Sequence, residues 1–193
     1  MSIELNKDPR VTKYIFRDDG IFPNNEELPV LIYKHVFRLP EWSLRAASLV
    51  ERKFRENDWS DAWRDVIYNY HHYHSISHEV LGIYRGKAEL QFGGAKGLIT
   101  TVEKGDVILI PAGVAHKCIS ESQLKCVGAY PEGMDYDMNY GSESERPKAM
   151  RNINKLPLPR LDPVFGKQGP LHSYWRGRIK LLRRMVKLHH KKS

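Results

Sequence analysis

A chain of 193 residues, 41% hydrophobic and 10% aromatic, is long enough to bury a core and is most simply one folded domain. Two cysteines rule out a disulfide scaffold, and no apolar run approaches the roughly 20 residues of a membrane-spanning helix. Of the 31 basic residues, eight lie in 176–193 with no acid beside them, so the remaining 23 balance the 23 acids. The net charge of +8 therefore belongs to the tail; the body lacks the basic footprint of a nucleic-acid-binding domain, and no nucleic-acid partner is expected. The mixed, polar start Met1-Ser2-Ile3-Glu4 carries no secretory pattern, which predicts a cytoplasmic address.

Residues 12–16 and 30–36 read as short strands, separated by the turn formers Asp18-Asp19-Gly20 and Phe22-Pro23-Asn24-Asn25. Residues 39–56 read as a helix: Pro40 suits its first turn, and Leu44, Leu49, Val50 and Phe54 form an apolar stripe. This helix is expected to lie on the outside of a β domain or at a partner. Asn57-Asp58-Trp59-Ser60-Asp61 reads as a loop leading into a strand over 66–73 through Trp63. Further strands follow at 81–84, 88–92, 98–102, 107–110, 116–119 and 124–130, divided by Arg85-Gly86-Lys87, by the glycine-rich run 93–97 and by Glu121-Ser122-Gln123. Many short strands with Gly and Pro punctuation predict an all-β sandwich or barrel with minor α content.

Residues 131–175 contain Pro131, Gly133, Gly141, Pro147, Pro157, Pro159, Pro163, Gly166, Gly169 and Pro170, and read as an extended arm. Tyr136, Tyr140, Leu156, Leu158, Phe165 and Trp175 are its expected anchors on the barrel or on a neighbouring subunit; arm and helix together suggest a homodimer. In the tail, Ile179, Leu182, Met185 and Val186 fit one helical face, which suits an anionic surface. A solvated or frayed terminus is the plainer reading.

Chemistry concentrates in 70–116, which holds five of the nine histidines. On a strand His72 and His74 share one face, roughly 6.6 Å apart at about 3.3 Å per residue. Two imidazoles so placed can reach one cation, since zinc–nitrogen bonds run to about 2.0–2.1 Å. Glu79 opens the next apolar run and is a candidate third ligand. His116, after the corner Pro111-Ala112-Gly113, is a candidate fourth. Tyr68 and Tyr70 share the parity of His72 and are candidate cavity-lining residues. Cys118 follows His116 on the same face, with Cys126 opposite it if 121–123 is a hairpin turn. The cysteines also read as ordinary buried packing, and His71 and His78 as surface or interface residues.

The spacing resembles the two cupin motifs. His72, one residue, His74, four residues, Glu79, six residues, Gly86 matches the first; Gly105, five residues, Pro111, one, Gly113, two, His116 matches the second; 18 residues separate them. Val66 stands where the first motif usually opens with glycine, and Ser120 where the second closes with asparagine; neither position is a metal ligand in the family. From about residue 15 to 175, including Gly128-Ala129-Tyr130-Pro131-Glu132-Gly133, the chain resembles the YjlB-like branch of single-domain bacterial cupins, whose function is unassigned. The resemblance implies one jelly-roll domain over 1–175, with its barrel core at about 64–130. It implies one divalent metal held by His72, His74, Glu79 and His116. Three imidazoles and a carboxylate suit iron, manganese, nickel, copper or zinc. The function that follows is a metal-dependent enzyme acting on a small oxygen-rich organic molecule by oxygenase, isomerase or lyase chemistry. The alternative is a non-catalytic sensor or carrier of a small ligand, and a weaker third reading gives the basic tail the main role.

Overall fold

Alternation along the strands sorts the main sheet into two buried faces. The computed structural model describes residues 3–40 and 44–176. In order these form β1 (Glu4–Leu5), β2 (Arg10–Phe16), β3 (Asn25–Lys34), β4 (Phe37–Arg38), α1 (Leu44–Glu56), β5 (Trp59–Asp65), β6 (Glu79–Phe92), β7 (Leu98–Glu103), β8 (Val107–Ile110), β9 (His116–Pro131), α2 (Arg146–Lys155) and a short π-helix (His172–Arg176). The seven-stranded sheet is antiparallel, ordered β2-β3-β8-β6-β9-β5 with β7 also on β6, and β1 pairs β4 separately. Among the described residues no helix is long and apolar enough to cross a membrane.

Val30, Ile32, Leu81, Ile83, Ile108, Ile110 and Cys126 point into the barrel. Their neighbours Leu31, Tyr33, Val80, Val107, Leu109 and Val127 point outward, where Val50 and Phe54 of α1 and Val164, Leu171 and Trp175 of the C-terminal arm cover them. A strand buried on both faces has no need of polar alternation, which accounts for the unbroken apolar runs of β3 and β8. Helix α1 docks directly on Gly82: a Cβ there would meet Val50 Cγ1 at 2.5 Å and Phe54 Cζ at 2.8 Å. The fold is the expected all-β jelly roll with a side helix.

Several boundaries differ from the sequence reading. Residues 81–92 are not two strands with a turn at Gly86, nor are 116–130 two strands with a turn at 121–123. Strands β6 and β9 run through both places, and their ladder shifts register at Ile83/Arg85 and Arg85/Lys87. Gly86 at φ 69° and Gln123 at φ 54° form the bend where the paired strands turn the barrel corner. Trp59 begins β5 and is buried, with Nε1 donating to Leu161 O at 3.0 Å, so 57–61 is only partly loop. Residues 66–73 do not form a strand; they carry the isolated bridges His72↔His116 and Tyr73↔Asn139. The helix expected over 39–56 does not begin at Pro40, since Leu39 and Pro40 are not helical; α1 is described over Leu44–Glu56, and residues 41–43 and the tail pattern at 179–186 lie outside the described residues.

The arm is less extended than expected, since α2 lies within it. Trp175 is fully buried, with Nε1 donating to Pro29 O at 2.9 Å, and Leu158 and Phe165 pack against the outer cluster. Tyr136 and Tyr140 stay 46% and 54% exposed, but Tyr136 still meets the barrel by stacking on Tyr130 of β9 at 4.7 Å, and Tyr140 lies 6.0 Å from Tyr70. Asp162 ties the arm to itself and to β3: its carboxylate accepts from the backbone N–H of Val164, Phe165 and Leu171 and from Tyr33 Oη at 2.7 Å.

Candidate metal centre

The site forms where the irregular stretch after β5 meets the start of β9. His72 and His116 pair through their backbones: His72 N–H donates to His116 O at 3.2 Å, and His116 N–H donates back at 3.0 Å. The corner before His116 needs Gly113, whose φ of +93° places it in the left-handed region. A side chain there would also strike Asn24 O at 2.4 Å. The turn at Phe22-Pro23-Asn24-Asn25 braces the same corner, since Asn24 Oδ1 accepts from Ala115 N at 3.1 Å and Asn25 Nδ2 donates to Ala112 O at 3.0 Å. Gly113 N–H donates to His74 O at 2.8 Å, which joins the corner to the first ligand segment.

All three rings are pinned the same way. Nδ1 of His72, His74 and His116 lies 3.2, 2.5 and 3.1 Å from the carbonyl oxygens of Tyr70, Asp137 and Val114. A carbonyl can only accept, so each Nδ1 carries the proton and each neutral ring keeps its lone pair on Nε2. These are the partners that orient metal-binding histidines. The candidate ligand atoms of His72, His74 and His116 lie within 4.8 Å of one another, all buried. Three buried histidines in this arrangement can hold a metal ion.

Glu79 faces the same point from the first residue of β6. Its Oε2 lies 3.6 Å from His74 Nε2 and 3.3 Å from His116 Nε2, is buried, and has no hydrogen-bond partner among the described residues. Its Oε1 accepts from Tyr130 Oη at 3.3 Å, and Trp63 Nε1 donates to Tyr130 Oη at 3.0 Å. Burial alone would raise the Glu79 pKa, but the His74 and His116 rings outweigh it and hold the carboxyl well below its usual range. Burial likewise opposes charge on His74, yet the adjacent Glu79 carboxylate raises its proton affinity. His72 is pushed down to about 3, by burial first and by His116 second. The Glu79 carboxylate and the His74 and His116 rings thus favour opposite charges on one another, and Oε2 is left without a hydrogen-bond partner among the described residues. The donor set fits a divalent cation.

The four residues named from sequence come together here, while the other candidates separate. Tyr68 lines the adjoining cavity of about 180 Å³ with Trp63, Tyr130, Tyr136 and Met138; Tyr70, Cys118 and Cys126 are not among its lining residues. Tyr70 stacks on Tyr68 at 4.9 Å. Both cysteines are buried free thiols, and Cys118 pairs with Leu90 and Cys126 with Ile83, so they do not oppose one another. His78 is buried rather than exposed: it faces the outer side of the sheet 4.9 Å from the Trp175 ring, and its Nδ1 accepts from Ala112 N–H at 3.1 Å. His71 is half-buried against Phe22 at 5.4 Å. Sequence reasoning missed Tyr130 and Asp137. Nothing local in the sequence marks Tyr130, because it reaches Glu79 through the β6–β9 pairing, in which Val80 lies opposite Ala129.

A jelly roll with three converging histidines and a buried glutamate facing them marks a cupin. The chain is 41% identical over 163 residues to "Uncharacterized protein YjlB" of Bacillus subtilis (strain 168), over 84% of this chain and 94% of that protein; it belongs to the YjlB family. No family model matches it. Among solved structures, pumpkin seed globulin is 23% identical at a TM-score of 0.36, over 50% of this chain and 28% of that one. A DUF861 family protein from Thermotoga maritima is 21% identical at 0.28, over 40% and 86%. A putative ethanolamine utilization protein Q from Salmonella typhimurium is 10% identical at 0.28, over 64% and 69%. At such TM-scores these likenesses carry no argument; the fold rests on strand order and register.

Proposed function

We propose that this cupin is a metal-dependent enzyme, with His72, His74, His116 and Glu79 as the ligands of one divalent ion and a small oxygen-rich organic molecule as substrate. The observation that carries the reading is the buried, unpartnered Glu79 Oε2 set against three imidazoles whose Nδ1 atoms are all committed to carbonyls. A bound divalent ion of this ligand type supplies Lewis-acid polarisation or, for a redox-active metal, one-electron chemistry. The chain's own residues do the rest. The carbonyls of Tyr70, Asp137 and Val114 fix the ring orientations. Trp63 and Glu79 hold the Tyr130 hydroxyl at the cavity wall, and burial together with the Glu79 charge raises its pKa, so it keeps its proton there. Leu81, Ile67 and Met138 line the same cavity and limit water.

A proton-bearing group beside the ligand set, and beyond it, favours an enzyme over a carrier. Elemental analysis of freshly purified protein should find about one divalent ion per chain, and chelation should abolish any turnover found in a substrate screen. A preparation that takes up no divalent ion at neutral pH overturns the reading. Metal-bound protein that only retains a ligand, with no turnover, would leave the sensor or carrier role in its place.

A further inference from the structure

We propose, building on the metal-centre reading above, that the cavity takes a small planar aromatic molecule. It would present adjacent oxygen donors at one edge, carry no phosphate, and rest its ring against Tyr68 and Tyr136. Two stacked tyrosine pairs stand at this site: Tyr68 on Tyr70 at 4.9 Å and 14°, and Tyr136 on Tyr130 at 4.7 Å and 15°. Both rings of each pair lie edge-on to one of the ligand histidines, and in each pair the nearer ring also lines the cavity and stays exposed. Tyr68 lies 5.3 Å from the His72 ring at 74°, and Tyr136 lies 5.2 Å from the His74 ring at 76°. Both line the cavity, yet both stay open to solvent, at 49% and 46% exposed. Large aromatic surface left wet inside a concave site marks a place where a ligand completes the packing. Aromatic rings suit it because stacked and edge-on contacts add to simple burial.

Charge narrows the ligand further. Among the described lining residues the one cationic side chain is Arg64, and its Nε donates to Glu51 at 2.9 Å while its Nη2 donates to Ser48 Oγ at 3.1 Å. Asp65 adds a carboxylate to the same wall. Phosphate sites supply guanidinium forks or clustered backbone donors, and this wall offers an occupied arginine and an acid. Volume sets the scale: about 180 Å³ is close to the roughly 150 Å³ of an apolar cavity that holds a benzene ring, and too small for a nucleotide.

The test uses the full chain loaded with Zn²⁺, which is redox-silent, so binding is read without turnover. Isothermal titration with catechol, glycolate and phenyl phosphate compares ring plus donors, donors alone, and ring plus phosphate. Metal content is measured on the same samples. Catechol should bind most tightly. Tyr68→Ala and Tyr136→Ala should each weaken it by about threefold to tenfold, while Tyr68→Phe and Tyr136→Phe restore it, and zinc content should not change in any of the four. Alanine variants that bind catechol like the parent overturn the inference, as does glycolate or phenyl phosphate matching catechol. Protein that holds no zinc overturns the metal reading instead, and zinc-loaded protein that ignores catechol overturns this inference alone.

Discussion

Each of the three imidazoles is fixed at one nitrogen by a carbonyl, so its remaining lone pair has one direction to point. Glu79 supplies the carboxylate that faces the His74 and His116 rings. Glu79→Gln keeps the side-chain shape and removes that charge. Divalent-ion affinity should fall by at least about tenfold, since even the outer partners of metal ligands are worth 10–100-fold. Competition against a chromophoric chelator reads this directly, and an unchanged affinity would remove Glu79 from the ligand set. The cysteines predict the opposite kind of result. Burial, then the nearby Glu79 charge, pushes the Cys126 thiol up, and burial raises Cys118. Neither forms much thiolate at pH 8, so iodoacetamide should leave both unmodified in the native protein and add twice after denaturation, by mass spectrometry. At this scale the sequence was legible where ligands cluster in spacing, as at His72, His74 and Glu79. It was not legible where a residue enters by strand pairing: Tyr130 is 51 positions from Glu79 and meets it only because β9 lies beside β6.

Helix α1 sits on the outer face of β6 at Gly82, the residue between inward-facing Leu81 and Ile83. Gly82→Ala would force its methyl into Val50 and Phe54, both fully buried. The variant should lose about 1–3 kcal/mol, as overpacked cores do, measured by urea denaturation; full stability would mean the helix can shift off the sheet. The helix stripe of Val50 and Phe54 was visible as periodicity, and so were the apolar runs of β3 and β8. Strands β6 and β9 were not visible as continuous, because Arg85-Gly86-Lys87 and Glu121-Ser122-Gln123 have turn composition. In the barrel those residues bend two strands together while the ladder continues past them. Local sequence carries no difference between a turn that ends a strand and a bulge that bends one. The same limit explains 66–73, where β-favouring side chains sit on a stretch that makes only single bridges, because its backbone bonds serve the site.

Across the whole molecule, the sheet separates two jobs onto two faces, and β6 shows where they meet. His78 points outward under Trp175, while Glu79, the next residue, points inward to the cluster. Trp175→Ala removes a fully buried indole and its bond to Pro29 O, and should cost about 3–5 kcal/mol. That is a large part of the roughly 5–15 kcal/mol by which domains are stable. Divalent-ion binding acts in the other direction: at a free concentration 100 times the Kd it should stabilise the fold by about 2.7 kcal/mol. Opposite faces of a rigid strand predict that the two effects add. Denaturation of parent and Trp175→Ala protein, each with metal and with chelator, gives four stabilities from which the coupling follows. A coupling under about 0.5 kcal/mol is the additive case. A larger one would mean that His78 transmits the arm's packing to Glu79, and the arm would then belong to the site rather than to the scaffold alone.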